Sequence, residues 1–192
     1  MYHPGGIDFD GRSVWVSVAE YRPNSQTVVY KIDPVTHAVS EQFRVKDHIG
    51  GIVKDRRTGH LHGVSWGSRK FYDWTGKGKQ VSVKPNPSLM VDYQDCDYVA
   101  KSKQLCSGLI GLPGPTGTPY EFGGIALLDL ADDNRILKEQ PFPMYGSTGH
   151  IATRNPLAFE VDGAKMRILA APDDADAPAG TELLIYEAPL PT

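Results

Sequence analysis

Met1-Tyr-His-Pro-Gly-Gly-Ile-Asp-Phe-Asp-Gly11 sets a polar residue before two small ones, an apolar-alternating run, and a turn at Asp10-Gly11. The same spacing returns three times. His48-Ile-Gly-Gly-Ile-Val-Lys-Asp55 runs to a turn at Thr58-Gly59, and Gln94-Asp-Cys-Asp-Tyr-Val-Ala-Lys101 runs to Ser102. Asn155-Pro-Leu-Ala-Phe-Glu-Val-Asp-Gly163 then follows the first copy without a gap. Between copies lie short runs with the period of strands: Val14, Val16 and Val18 alternate with Ser13, Trp15 and Ser17, a spacing of two that no helix shares. Asp10-Gly11, Arg22-Pro-Asn-Ser25 and Asp33-Pro34 punctuate them as turns. The result is a chain of four units, about residues 5–48, 49–88, 89–147 and 148–192, each predicted to hold four antiparallel strands except the last, which lacks one.

Such a repeat predicts an all-β fold, a β-propeller of about four four-stranded blades in one domain over residues 1–192. A four-stranded sheet cannot bury two apolar faces alone, so its neighbours must cover them. The incomplete last unit has no spare strand before Gly5 to close it. The expectation is therefore the C-terminal part of a six-bladed ring, the alternative being an intact four-bladed ring with an unusual closure.

Composition removes several function classes. A net charge of -3, a pI near 6.0 and no clustered Lys and Arg argue against a nucleic-acid partner. No apolar run reaches the roughly 18 residues of a membrane span, and the opening Met1-Tyr-His-Pro has neither the basic nor the apolar part of a signal peptide. As written the chain is expected to be soluble, without an export signal; the compartment stays open. Its open blade edges would favour self-association. Cys96 and Cys106 fall on the two strands of one hairpin, and a one-residue change of register decides whether they meet. The favoured expectation is two buried thiols acting as small hydrophobes, with a disulfide as the alternative.

Blade geometry places any functional site. In a propeller the start of each innermost strand and the loop between second and third strands come to one mouth of the ring. The four starting positions are His3, His48, Gln94 and Asn155, all polar. Glu20 and Arg22, Trp66 and Arg69, the segment from Gly111 to Phe122, and Asp173, Asp174 and Asp176 lie in or beside the four loops, and His150 leads into the last unit. His3 and His48 with Glu20 suit a divalent transition metal; Glu20, Gln94, Asp95 and Asn155 offer the oxygen donors calcium prefers. Histidines before Pro-Gly or Gly-Gly also serve simply to bond a neighbouring backbone. The Asp173 run lacks the Gly and Glu of an EF-hand loop and reads as a solvated acidic loop. Arg22 and Arg69 can clamp a carboxylate or phosphate or form surface ion pairs. Neither a Gly-x-Ser-x-Gly elbow nor a catalytic cysteine signature is present.

Two readings follow. In one, a divalent cation at the mouth assists hydrolysis or lysis of a small ester or lactone, with His48 or His3 as general base. In the other, a non-catalytic propeller binds a small molecule or partner through Arg22, Trp66, Arg69, Asp95, His150 and the Gly111–Pro119 loop. A truncated ring without a complete site is the third possibility. The runs Tyr2–Gly11, Val18–Ser25, Asp47–Gly51, Gly63–Arg69 and Tyr93–Cys96 together resemble an uncharacterised bacterial and fungal propeller family whose members are longer at the N-terminus. More distantly, the blade openings resemble six-bladed lactonases of the gluconolactonase and regucalcin type and the virginiamycin B lyase type. The lactonase likeness implies an axial divalent cation held by carboxylates and amides, where this chain offers two histidines.

Overall fold

The computed structural model describes residues 2–115, 117, 119–172 and 182–189. Strands β1 (Tyr2–Phe9), β2 (Val14–Glu20), β3 (Thr27–Ile32) and β4 (Val39–Val45) form the first antiparallel blade. Strands β5 (Ile49–Lys54), β6 (Leu61–Ser65), β7 (Lys70–Trp74) and β8 (Gln80–Pro85) form the second. The third consists of β9 (Asp92–Ala100), β10 (Lys103–Leu112), β11 (Tyr120–Asp129) and β12 (Arg135–Pro141), and the fourth of β13 (Leu157–Asp162), β14 (Lys165–Ala170) and β15 (Leu184–Pro189). The first and second blades join through a parallel contact of their inner strands at Gly6 and Gly51. These are the blades of a β-propeller, with β1, β5, β9 and β13 innermost.

Each pair of neighbouring blades shares one apolar cluster, which is why both faces of an inner blade are apolar. Trp15 and Val29 meet Ile52, Leu61 and Trp74 between the first two blades. Val53, Val64 and Phe71 meet Tyr93, Cys106 and Leu128 between the second and third, and Leu105 meets Phe159, Met166 and Ile168 between the third and fourth. On the first blade's other face, Ile7 and Phe9 remain half exposed.

Two glycines let the inner strands crowd the axis. A Cβ on Gly5 would stand 2.3 Å from the Gly50 carbonyl oxygen, and one on Gly6 would stand 2.3 Å from Asp95 Oδ1. No residue with a side chain fits at either point without moving its neighbours.

Three sequence expectations need correction. Cys96 and Cys106 are not thiols: they form a disulfide, their Cα atoms 4.0 Å apart. The cause is the turn together with an irregularity just beyond it. Lys101 and Ser102 both take positive φ, 49° and 57°, making the two-residue hairpin that matches strand twist. That turn pairs Lys103 with Ala100, and a register shift between Lys103 and Gln104 then moves the pairing by one residue and sets Cys106 directly opposite Cys96. The inner strands of the first and third units start earlier than expected, at Tyr2 and Asp92. The hairpin around the Gly- and Pro-rich loop, expected from the sequence to pair Gln104–Ile110 with Gly124–Leu130, is also longer, pairing out to Leu112 and Tyr120. Asp173, Asp174 and Asp176 lie outside the described residues.

Candidate ligand site at the axial mouth

His3, His48, Gln94 and Asn155 all line one cavity of about 440 Å³, to which every blade contributes. Tyr21, Trp66 and Gly67 border it from the loops between second and third strands, and Glu121 borders it from the start of β11. Asp92 and Arg154 complete its polar wall. The convergence expected from the repeat is therefore present for the four starting positions, though their equivalence is not as the sequence spacing suggests. Strand irregularities at Gly5–Gly6, Gly50 and Gln94 mark the same point in three blades. Counting back from them, Asp92, and not Gln94, occupies the place of His3 and His48.

His48 is the most firmly held of these side chains. Thr27 Oγ1 donates to the Asp47 carbonyl at 2.7 Å and accepts the Ile49 N–H at 2.8 Å, tying the chain on both sides of His48 to β3. The Asp47 carboxylate accepts the His48 N–H at 2.9 Å, the Tyr72 hydroxyl at 2.7 Å and Lys70 Nζ at 2.8 Å. Burial opposes ionisation of Asp47, but these donors outweigh it and hold the carboxyl below its usual range. The imidazole Nδ1 lies 2.9 Å from the Glu20 carbonyl oxygen. A carbonyl only accepts, so Nδ1 carries the proton and Nε2 of the neutral ring is the acceptor. That nitrogen lies over Gly50, on the cavity floor.

An aromatic series lines one side. His3 and Tyr21 have ring centroids 5.0 Å apart, Tyr21 and Trp66 5.2 Å, and Trp66 and His48 4.8 Å, the last two edge to face. Trp66 starts a single 3-10 turn, Trp66–Ser68, in which Gly67 and Ser68 have φ of 58° and 49°. The buried Ser68 hydroxyl accepts the Tyr93 N–H at 3.0 Å. Arg69 straps the same turn, donating to the Gly67 carbonyl, to the Ser88 carbonyl at 3.2 Å and to Asp92 Oδ1 at 2.9 Å. Burial raises the Asp92 carboxyl above its ordinary range against the pull of Arg69.

The remaining expected site residues are placed differently. Glu20 gives its carboxylate to Arg22, and neither lines the cavity: the two are close neighbours in one exposed turn. Arg69 is a strap and not an open anion clamp, since three backbone or carboxylate oxygens already occupy its guanidinium. Asp95 alternates with Gln94 along β9 and so points away from the mouth; it is 8% exposed, accepts the Cys96 N–H, and is pushed well above its usual range by burial. His150 stands behind the wall, its Nδ1 3.1 Å from Glu121 Oε1, while Glu121 Oε2 accepts the Ile151 N–H at 2.7 Å. Tyr21, Asp92, Glu121 and Arg154 were not singled out by sequence. Tyr21 could have been found as the aromatic between Glu20 and Arg22 in a mouth loop, and Glu121 lies inside the segment already assigned to the mouth. Asp92 needed the strand irregularities, which carry no signal in one sequence.

As a metal centre the expected donor set does not hold together. With Glu20 turned to Arg22, what remains of that set at the cavity is two imidazoles and two amides; Asp92 and Glu121 also border it, held by Arg69 and by His150 and the Ile151 N–H. Among the described residues no three His, Cys, Asp or Glu side chains are grouped to hold an ion. Calcium favours carboxylate oxygens and transition metals a third nitrogen, sulfur or carboxylate, and this set supplies neither.

The fold and the cavity thus define a propeller with a polar and aromatic axial mouth. Residues 1–191 match the model of a family of unknown function, DUF6454, and the chain belongs to that family. No curated protein matches it. Among solved structures it is similar in fold to hydrazine synthase of Kuenenia stuttgartiensis, with a TM-score of 0.51 and 10% identity over 97% of this chain. The likeness to a GH43 endo-arabinanase from Bacillus licheniformis has a TM-score of 0.49 at 13% identity, covering 94% of this chain and 71% of that one. A DUF4623 family protein from Bacteroides eggerthii follows at 0.46 and 12% identity, covering 96% and 57%. The chain spans 62% of the length of the hydrazine synthase chain. Among the described residues no helix is long and apolar enough to cross a membrane.

Proposed function

We propose that the axial mouth binds a small organic ligand, Trp66 and Tyr21 supplying the apolar contact and His48, Gln94 and Asn155 the polar ones. The observation that carries this is Asn155, a residue that borders a cavity shared by every blade while its Oδ1 is buried with no hydrogen-bond partner in the protein. A buried acceptor left alone costs about 1–3 kcal/mol, and a ligand donor reaching it recovers that. Trp66 provides the assay, because Trp15 and Trp74 are buried in the core at 3% and 2% exposure and only Trp66 borders the cavity. A screen of small metabolites should change tryptophan emission in the wild-type protein and not in Trp66→Phe. Ligand-induced stabilisation that survives unchanged in both Trp66→Phe and Asn155→Leu would put binding elsewhere.

A catalytic version of the same site is favoured by the fixed tautomer of His48. An imidazole whose Nδ1–H is anchored on a carbonyl presents a basic Nε2, the arrangement a general base for ester or lactone hydrolysis requires. Turnover of a small lactone that falls about a hundredfold or more in His48→Ala, with His3→Ala weaker in effect, would establish it. A divalent cation is not needed by either version. Calcium and zinc are expected to leave the melting temperature unmoved, and a stoichiometric ion in the purified protein would reverse that judgement.

A further inference from the structure

We propose that the ligand of the mouth is a neutral, polyhydroxylated small molecule of sugar size; this rests on the reading of the mouth as a binding site. Two features of the cavity wall point to it. The first is charge. Each carboxylate bordering the cavity already has a cationic or donor partner behind it: Arg69 holds Asp92 at 2.9 Å, and Glu121 lies against His150 and the Ile151 N–H. An ammonium ligand would compete with partners already in place and meet the Arg154 guanidinium in the same wall, and an anion would face two carboxylates beside that one guanidinium. A neutral molecule meets neither cost.

The second is the sense of the hydrogen bonds. Asp92 keeps Oδ2, beside Gly67, while Oδ1 serves Arg69. His48 offers Nε2, its other nitrogen being occupied by the Glu20 carbonyl. Asn155 Oδ1 is buried without a protein partner. Three acceptors on three blades, with the Gln94 amide and Arg154 as donors in the same wall, call for a ligand that both donates and accepts around its rim, and hydroxyl groups do both without charge. Trp66 and Tyr21 then offer apolar ring surface to the C–H face that a polyol ring presents, so that one side of the ligand is stacked and its rim is hydrogen-bonded. Gly5, Gly50 and Gly67 border the cavity without side chains to fill it.

The test uses the full chain and saturation-transfer NMR with D-glucose, D-galactose, D-xylose and sorbitol, beside choline as a cationic probe and acetate as an anionic one. Transfer to at least one neutral polyol is expected, with affinity weakened about tenfold or more in Trp66→Ala and in Asn155→Leu, a loss of 1.4 kcal/mol or more per site. Melting curves confirm that the variants fold; should Asn155→Leu fail to fold, Trp66→Ala and His48→Phe decide. Transfer to choline or acetate alone, lost in Trp66→Ala, overturns the ligand class and leaves the mouth as a binding site. Polyol transfer that is indifferent to Trp66→Ala overturns the location, and with it the reading on which the class depends. Silence from every probe overturns the proposal.

Discussion

Asp97→Asn should make the protein more stable at pH 8 than at pH 5 relative to the wild type. Asp97 lies on β9 near the axis, accepts the Phe159 N–H at 2.9 Å, and has its carboxyl pushed up to about 7, first by burial and then by the charge of Asp8. Asp95 and Asp8, on the same pair of inner strands, are raised by burial too. Among the described residues the cation set against them is Arg56, 3.2 Å from Asp8 and stacked over Tyr98 with 4.6 Å to the ring centroid. In the unfolded chain Asp97 ionises near 3.8, so between about pH 4 and pH 7 the folded state holds the extra proton and stability falls as pH rises. For a shift from 3.8 to about 7 the full loss is about 4 kcal/mol, of which about 2.5 kcal/mol falls between pH 5 and pH 8. Asparagine keeps an acceptor for Phe159 and never ionises, so the variant lacks this slope.

Buried His62 works in the opposite direction. Burial lowers its pKa, so its contribution is complete above about pH 6.5 and is lost as pH falls. The measurement that isolates Asp97 is therefore the difference between wild type and variant, taken by urea unfolding at pH 5, 6, 7 and 8. That difference should grow by about 2.5 kcal/mol over the range, and at pH 8 the variant should melt roughly 10 °C higher. A difference that stays flat, or a variant less stable than wild type at pH 8, refutes the reasoning.

Three further outcomes are expected. Replacing Cys96 and Cys106 together by alanine frees a loop ten residues apart in sequence and should cost roughly 2–3 kcal/mol by denaturant melting; a neutral result would mean that the unfolded chain is restrained in some other way. Gly6→Ala drives a methyl into Asp95 Oδ1 and within 3.0 Å of Asp95 Cα, so it should destabilise by about 1–3 kcal/mol, with the damage mapped by hydrogen exchange to β1 and β9. Thr27→Val strips the Ile49 N–H of its partner and should cost about 1–3 kcal/mol, and it should also broaden the His48 ring resonances. A sharp, unshifted His48 spectrum would show that Thr27 does not hold that residue.

The blades were legible because their cause is local. The alternation through Val14–Val18 and the turns at Asp10-Gly11 and Thr58-Gly59 mark strands and their ends whatever the rest of the chain does. The convergence of His3, His48, Gln94 and Asn155 followed from rotational repetition alone. What stayed hidden depends on register. Whether Cys96 faces Cys106 depends on two left-handed residues, Lys101 and Ser102, neither of them a glycine, and on the one-residue register shift just after Lys103. Whether Asp92 or Gln94 stands where the histidines do was decided by one irregularity in β9. Arg69 and Glu20 misled for another reason: a sequence shows a charged side chain but not the Asp92, Ser88 or Arg22 atoms that have already engaged it.

The covalent link inside the third blade is shut away from solvent at both ends, with Cys106 fully buried and Cys96 3% exposed. A reducing agent can reach it only while that blade is open, so its cleavage rate should scale with the opening of β9 from β10. Once formed, the bond is therefore expected to outlast a change in its surroundings, and molecules made with and without it would persist side by side.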